Sequence, residues 1–280
     1  AQIMSLGLHV NYDFDKMSLS WSTGFKDHDY LYSEDYDGTP RTAGLYRQDQ
    51  TGDYLQSELR LTSNTDGPLS WYAGVSMYEE NIDYHVTSAV EEEVVCNYYS
   101  YFYTQAFYEE YYGYPNSGMR MSCSEYFDYI QYYWDTYYPT YGIVVGPFVP
   151  TANGMMTEDT FVTGKYTGWA AYLDLTYAFT DNFDVSFGVR YTDDKKDFSL
   201  DVPNPESNLG PFFAYLFSTD GEINSSNSWS DTQMRVVGRY RINDDHLVYA
   251  SYTEGFKSGG FGSFALVDAD GVQVGCCETD

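Results

Sequence analysis

The chain has 280 residues, with 42 acidic against 14 basic side chains for a formal charge of -28, and 19% of it is aromatic. That balance leaves no basic surface to neutralise phosphates, which excludes a nucleic-acid partner, and the aromatic content excludes a simple disordered acidic chain. No stretch is apolar for long enough to be a transmembrane helix, but a membrane strand needs only about 9–11 residues, apolar at alternate positions.

From the N-terminus onward the hydrophobic period is two. Leu6–Tyr12 is the first predicted strand. In the second, Met17–Phe25, Met17, Leu19, Trp21, Thr23 and Phe25 share one face, and Ser18, Ser20, Ser22 and Gly24 the other. Tyr54–Thr62 and Leu69–Tyr78 follow; the latter sets Leu69, Trp71, Ala73, Val75 and Met77 against Ser70, Tyr72, Gly74, Ser76 and Tyr78. Lys165–Tyr177 carries Trp169, Ala171, Leu173, Leu175 and Tyr177 on one side, and Phe183–Thr192 carries Phe183, Val185, Phe187, Val189 and Tyr191. Thr232–Tyr240 and Leu247–Tyr252 complete about eight strands, each with one apolar face.

The connections alternate in length. Short ones rich in Asp, Asn or Gly fall near Asp13–Lys16, Asn64–Pro68, Thr180–Asn182 and Asn243–Asp245, as tight turns require. Long ones fall near Asp27–Asp49, Ala89–Thr163, Asp193–Ser228 and from Gly255 onward. Short turns at one end and long loops at the other is the arrangement of an outer-membrane barrel. A soluble sandwich also alternates. Two details favour the membrane: the polar faces are small and hydrophilic, as in a wet lumen, and aromatics (Trp21, Phe25, Trp71, Trp169, Tyr177, Phe183, Tyr191) fall at predicted strand ends, like interfacial girdles.

The long Ala89–Thr163 segment holds fifteen tyrosines between Tyr98 and Tyr141, many acids, and Arg120 as its one base. A structureless loop of that length is improbable, so a folded cap is expected, with helix around Glu125–Tyr138. Four cysteines, Cys96, Cys123, Cys276 and Cys277, allow three full pairings. Cys96 and Cys123 both lie in the cap and are the candidate bridge there, closing a loop of about 28 residues.

Three blocks resemble the TonB-dependent outer-membrane receptors: Tyr249-Ala250-Ser251-Tyr252-Thr253-Glu254-Gly255-Phe256-Lys257-Ser258-Gly259-Gly260-Phe261; Trp169 through Phe183, continuing from Gly188 to Lys196; and Glu58 to Ser63 followed by Trp71 to Val75. The resemblance implies an all-β, transmembrane antiparallel barrel of roughly 22 strands, closed around an N-terminal plug. It also implies uptake of a scarce nutrient, most often a ferric siderophore, energised by the TonB-ExbB-ExbD complex. Residues 1–280 then read as an interior part of the barrel domain, with a large extracellular insertion at about 89–163 and with plug and TonB box outside this sequence. A complete eight-stranded porin is the structural runner-up. The implied setting is the bacterial outer membrane, with acidic, Tyr-rich loops outside the cell. The implied partners are the lipid bilayer and a small-molecule nutrient.

Tyr129, Tyr132 and Tyr133, mid-loop, are candidate ligand contacts, since tyrosine offers rigid area with a hydroxyl handle. Arg60, Arg190, Arg235 and Arg239 lie on the polar strand phase; the last three are candidate contacts to an anionic substrate, with pairing to carboxylates the competing role. The pairs Asp27/Asp29, Asp193/Asp194 and Asp268/Asp270 could hold structural Ca²⁺, although none has EF-hand spacing, and no cofactor is expected. Gly255, Gly259 and Gly260 suggest a bent loop exit at positive φ. No nucleophile–base–acid arrangement points to an enzyme, and His9, His28, His85 and His246 show no metal spacing. Besides the transporter, a structural or adhesive surface protein on a receptor-like barrel, or a carbohydrate or cobalamin receptor, is the alternative.

Overall fold

The computed structural model describes residues 1–114, 118–137, 147–209, 218–219 and 221–261, with three two-residue strands at 266–267, 273–274 and 278–279. Its frame is one antiparallel meander of eight strands in chain order: β1 (Gln2–Asp13), β2 (Met17–Asp35), β3 (Leu45–Ser63), β4 (Leu69–Glu91), β5 (Met155–Thr180), β6 (Phe183–Asp201), β7 (Ile223–Asn243) and β8 (His246–Thr253). All eight predicted strands are present and the short turns fall where expected. At the opposite end, however, β2 to β7 run well past their predicted limits into segments read as loops. There the alternation loses its apolar member: Asp27 and Asp29, Asn81 and Asp83, or Lys195 and Asp197 replace Trp and Leu. Pairing continues because each strand still finds a neighbour's backbone, as in Asp27↔Asp53↔Asn81↔Lys165↔Asp197.

Opposed residues share a face, so the register builds continuous rows. Val10↔Trp21↔Leu59↔Val75↔Ala171↔Tyr191 crosses six strands on one side. This apolar face is open: Leu6 is 63% exposed, Val75 51% and Trp169 49%. On β5 it runs from Trp169 to Phe179, about 33 Å along the strand and about 25 Å in height once tilted like a barrel strand. At the short-turn end it closes with Tyr12 against Phe14 and Phe179 between Tyr177 and Phe183. At the other limit Trp169 leans on Tyr191, with ring centroids 5.3 Å apart, and across the next two rows Lys165 pairs diagonally with Glu79 at 2.9 Å. The aromatics at this upper limit are therefore not at strand ends, as the sequence suggested; the strands continue beyond them into polar rows.

The 92–154 excursion forms a helical cap, α1 (Glu92–Tyr112) and α2 (Cys123–Tyr137). α2 begins two residues before the predicted helix because Ser122 and Glu125 make a capping box: the Ser122 amide donates to Glu125 Oε2 at 2.9 Å and the Ser122 hydroxyl at 2.7 Å. α1 was not predicted. Its aromatics lie all round the helix and leave no stripe to read, and it ends on Gly113 at φ 68. A Cys96–Cys123 disulfide joins the helices in a cluster with Tyr126 and Phe127. Val95 packs on the paired Val90 and Met156 of β4 and β5, which seats the cap on the polar side of the sheet. Glu92 is buried, yet it is satisfied by the Ser207 hydroxyl at 2.6 Å and the Thr151 amide at 2.8 Å, so it ties two excursions together.

Candidate functional site: the polar concave wall

The side chains between those of the apolar rows point to the other face. They line a concavity of about 1200 Å³ that includes Glu58, Arg60, Tyr172, Asp174, Arg190 and Arg235. Its organisation rests on glycines. Tyr172 of β5 donates its hydroxyl to Glu58 of β3 at 2.6 Å, and Arg60 donates to both, at 3.1 Å to the phenol oxygen and 2.6 Å to the carboxylate. The Tyr172 ring reaches β3 only by lying over Gly74 of β4, where any Cβ would collide with the phenol. The pattern repeats one strand on: Tyr78 of β4 donates to Asp194 of β6 at 3.2 Å, over Gly168 of β5. It repeats again where Asp174 of β5 accepts from Arg235 of β7 at 3.1 Å, and a Cβ on the intervening Gly188 of β6 would sit 2.7 Å from Asp174 Oδ2. Each bond thus spans two strand intervals across a glycine saddle. All three end on a carboxylate, and charge assistance makes such bonds stronger than neutral ones.

The four arginines do lie on this face, as the strand phase required. Three are committed to wall carboxylates: Arg60 to Glu58, Arg235 to Asp174, and Arg239 to Asp184 at 2.7 Å. Arg190 differs. Its Nε donates to Thr192 Oγ1 at 3.2 Å and its guanidinium stands 5.8 Å from the Tyr172 ring centre, but among the described residues no carboxylate is within ion-pair distance.

Tyr129, Tyr132 and Tyr133 sit on α2, all exposed, and none lines the concavity. The structure therefore does not bring the candidate tyrosines and arginines into one lining. Two cap phenols are held protonated by their surroundings: burial pushes Tyr99 up to about 12 and raises Tyr126 as well.

The segment after β8 folds back on the wall. Lys196 donates to the Gly259 carbonyl at 2.6 Å and stands 5.6 Å from the Trp229 ring, while Phe256, Lys257 and Ser258 join the lining of the concavity. The glycine expectation needs correcting here. Gly255, Gly259 and Gly260 are not at positive φ; Gly259 is required because a Cβ would lie 2.5 Å from the Trp229 indole. Asp193 and Asp194 alternate to opposite faces and cannot ligate one ion together. Among the described residues no three His, Cys, Asp or Glu side chains are grouped to hold a metal. Asp268, Asp270, Cys276 and Cys277 lie outside the described residues.

The wall residues that sequence reading missed are Glu58, Tyr78, Tyr172 and Asp174, while Asp194, read as a cation ligand, is here the acceptor of the Tyr78 hydroxyl. Their signal is a Gly level with a Tyr or Asp on the polar faces of neighbouring strands, and it becomes readable only once the register is known.

The TonB dependent receptor-like, beta-barrel family matches residues 4–272. Among solved structures the chain is similar to the ferric yersiniabactin uptake receptor FyuA of Yersinia pestis, at 17% identity and TM-score 0.54, over 94% of this chain and 29% of that one. It is also aligned with the ferric-catecholate import receptor Fiu of E. coli K12 in its closed form, at 15% identity over 90% of this chain and 32% of that one, with a TM-score of 0.45 that carries no further weight. The comparison with curated proteins gives no significant match.

Proposed function

The chain belongs to the TonB-dependent receptor β-barrel family, and we propose that it is part of an outer-membrane receptor for TonB-energised uptake of a scarce nutrient. Members of this family are transporters, not enzymes. The observation that carries the proposal is the chemical opposition of the two faces of one sheet. An exposed apolar band about 25 Å tall, flanked by aromatics, suits lipid, and the concave polar wall behind it suits a wet lumen. The chain spans 29% of the FyuA receptor's length, and the reading takes its eight-stranded sheet as a sector of a closed barrel of roughly 22 strands. In this reading the long excursions, cap included, face the cell exterior, and the TonB-ExbB-ExbD complex supplies the energy for uptake.

For the substrate we assign a ferric siderophore or related iron complex, by likeness to the ferric yersiniabactin uptake receptor. Tyr129, Tyr132 and Tyr133 are its candidate contacts outside, and the wall arginines Arg190, Arg235 and Arg239 its candidate contacts within. The test is uptake of ⁵⁵Fe from a panel of ferric siderophores by cells that carry the full-length protein as their sole iron receptor. Saturable uptake that a proton uncoupler abolishes is expected; uptake indifferent to the uncoupler, or none across the panel, overturns the assignment. The exposed aromatics of the cap, among them Tyr98, Phe102 and Tyr103 at 55% each, favour surface adhesion as the second reading. It requires cell attachment that is lost when the cap is deleted, without saturable iron uptake.

A further inference from the structure

We propose that the outward face of α1 is a docking surface for a cationic polypeptide segment, with arginine preferred to lysine. The inference goes beyond the uptake reading and needs no nutrient to pass the barrel. Past the first turn of α1, Tyr98, Phe102, Tyr103, Ala106, Glu109 and Glu110 are all exposed. At about 100° per residue they fall within one arc of about 140°, opposite the side on which Cys96, Ser100 and Thr104 are buried. Tyr98, Phe102 and Tyr103 keep 55% of their surface each, and the rings of Tyr98 and Phe102 lie nearly parallel, 14° apart. The helix that carries them is anchored by the Cys96–Cys123 bridge and by Val95, so the face is set before anything docks on it.

Charge decides the occupant. Between His85 and Lys165 the sequence holds one base, Arg120, and its guanidinium stands 4.9 Å from the Tyr101 ring centre. The cap thus already sets one guanidinium against a phenol ring, a favourable cation–π contact. Glu109 accepts from the neutral Gln105 amide at 3.1 Å, and among the described residues neither Glu109 nor Glu110 has a base within ion-pair distance. Both acids stand in the last turn of α1, at the negative end of its dipole, and that turn holds no base. The placement weakens the helix that carries it, and such a local conflict marks a functional surface. A cation arriving there relieves the repulsion between the two acids and their repulsion from the carbonyl ends. A neutral sugar stacks on tyrosine but leaves both repulsions in place. Glu109 lies about 10 Å beyond Phe102 along the helix axis. An extended chain rises about 3.3 Å per residue, so cations about three residues apart reach ring and carboxylate together.

The test uses the full-length receptor in detergent at low ionic strength. The probe is a fluorescent peptide of four Arg-Gly-Gly repeats, with Lys and Gln counterparts and the neutral oligosaccharide maltoheptaose beside it. Three double variants are compared with wild type: Glu109→Gln with Glu110→Gln, Tyr98→Leu with Phe102→Leu, and Asp27→Asn with Asp29→Asn as a control of equal charge on β2. The arginine peptide should bind several-fold tighter than the lysine one, and the glutamine peptide and maltoheptaose should not bind. The glutamate pair should weaken the arginine peptide about tenfold, the leucine pair about threefold, and the aspartate pair less than twofold. Amide exchange in the last turn of α1 should be unchanged or slower in the glutamate pair, because the lost charges opposed the dipole. Equal weakening by the aspartate pair overturns the proposal, since the peptide then reads only net charge. Binding of maltoheptaose that the glutamate pair leaves intact also overturns it, in favour of a glycan surface. Faster exchange in the glutamate pair overturns it as well, by showing that the two acids serve the helix.

Discussion

In the concave wall, Tyr78 and Tyr172 lie flat across glycines and spend their hydroxyls on carboxylates two strands away. In the cap, Tyr98, Tyr129 and Tyr132 stand out from helices with 39–67% of their surface exposed. The same residue type is a tie in one region and a displayed surface in the other. What differs is the neighbour. A sheet can offer a missing side chain directly beneath the ring, whereas a helix surrounds each tyrosine with others and leaves rings such as Tyr98 and Phe102 to stack at 6.4 Å. The wall should therefore fail by crowding and the cap by loss of its staple.

The largest effect is expected in the cap. Serine at Cys96 and Cys123 removes a bridge across a sequence separation of 27 residues, worth about 3–4 kcal/mol on a loop-entropy account. Because the cap meets the sheet through few side chains, the loss should stay local. Limited proteolysis of the full-length variant should cut between α1 and α2 while the heat-resistant barrel band on a gel persists; simultaneous loss of that band would erase the distinction between the two regions. Next comes crowding of the wall. Gly74→Val drives a branched side chain into Tyr172 and toward the Leu59 carbonyl 2.7 Å away. It should cost about 2–3 kcal/mol in denaturant unfolding, through overpacking and the freed Glu58. Gly7→Val, on β1 with nothing near its Cβ position, is the matched control and should cost little. Equal costs at the two sites would remove the saddle explanation.

These two regions were unequally legible. The wall strands announced themselves through a period of two with an apolar member, and the arginines' face followed from phase alone. The saddles did not, because Gly74 matters only when the register sets it beside Tyr172, and register across three strands is a tertiary fact. In the cap, Ser122-Cys123-Ser124-Glu125 did carry a start signal for α2, and a capping-box search would have moved its first residue to Cys123. α1 carried none: Tyr and Phe on all sides give no helical stripe, and its stability comes from the disulfide and from Val95 packing on Val90 and Met156. The strand extensions were hidden for a related reason. Hydrophobic contrast reports which face is apolar, and beyond Trp169 neither face of the strand presents a continuous apolar row.

The capping box gives a smaller and sharper test of the cap. Ser122→Ala should lower the stability of α2 by about 1 kcal/mol, seen as faster amide exchange in its first turn and nowhere in β4 or β5. Exchange that also quickens in the strands would mean that cap and wall unfold as one body.

The smallest effect concerns the short excursion between β2 and β3, which has neither staple nor saddle. Asp37 gathers its tip: its carboxylate accepts from the Thr39 hydroxyl and amide, from the Ala43 amide at 2.7 Å and from the Gly44 amide at 3.0 Å, while Thr42 is tied to Glu91. The Thr39 hydroxyl first, then the Ala43 and Thr39 amides, hold the Asp37 carboxyl down to about 2. A depressed folded pKa means that the ionised form is the one the loop favours. The contribution is complete above the ordinary carboxylate value near 4 and is lost as pH falls through about 2. Amide exchange at Ala43 and Gly44, corrected for its intrinsic pH dependence, should rise on acidification only below pH about 4, and Asp37→Asn should show the faster exchange already at neutral pH. The cap offers the contrast within one molecule. With its bridge intact, its amides between Cys96 and Tyr103 should keep their protection over the same range, because a covalent tie does not titrate. Parallel loss in both segments would show that the acid transition belongs to the whole exterior surface and that Asp37 does not control its own loop.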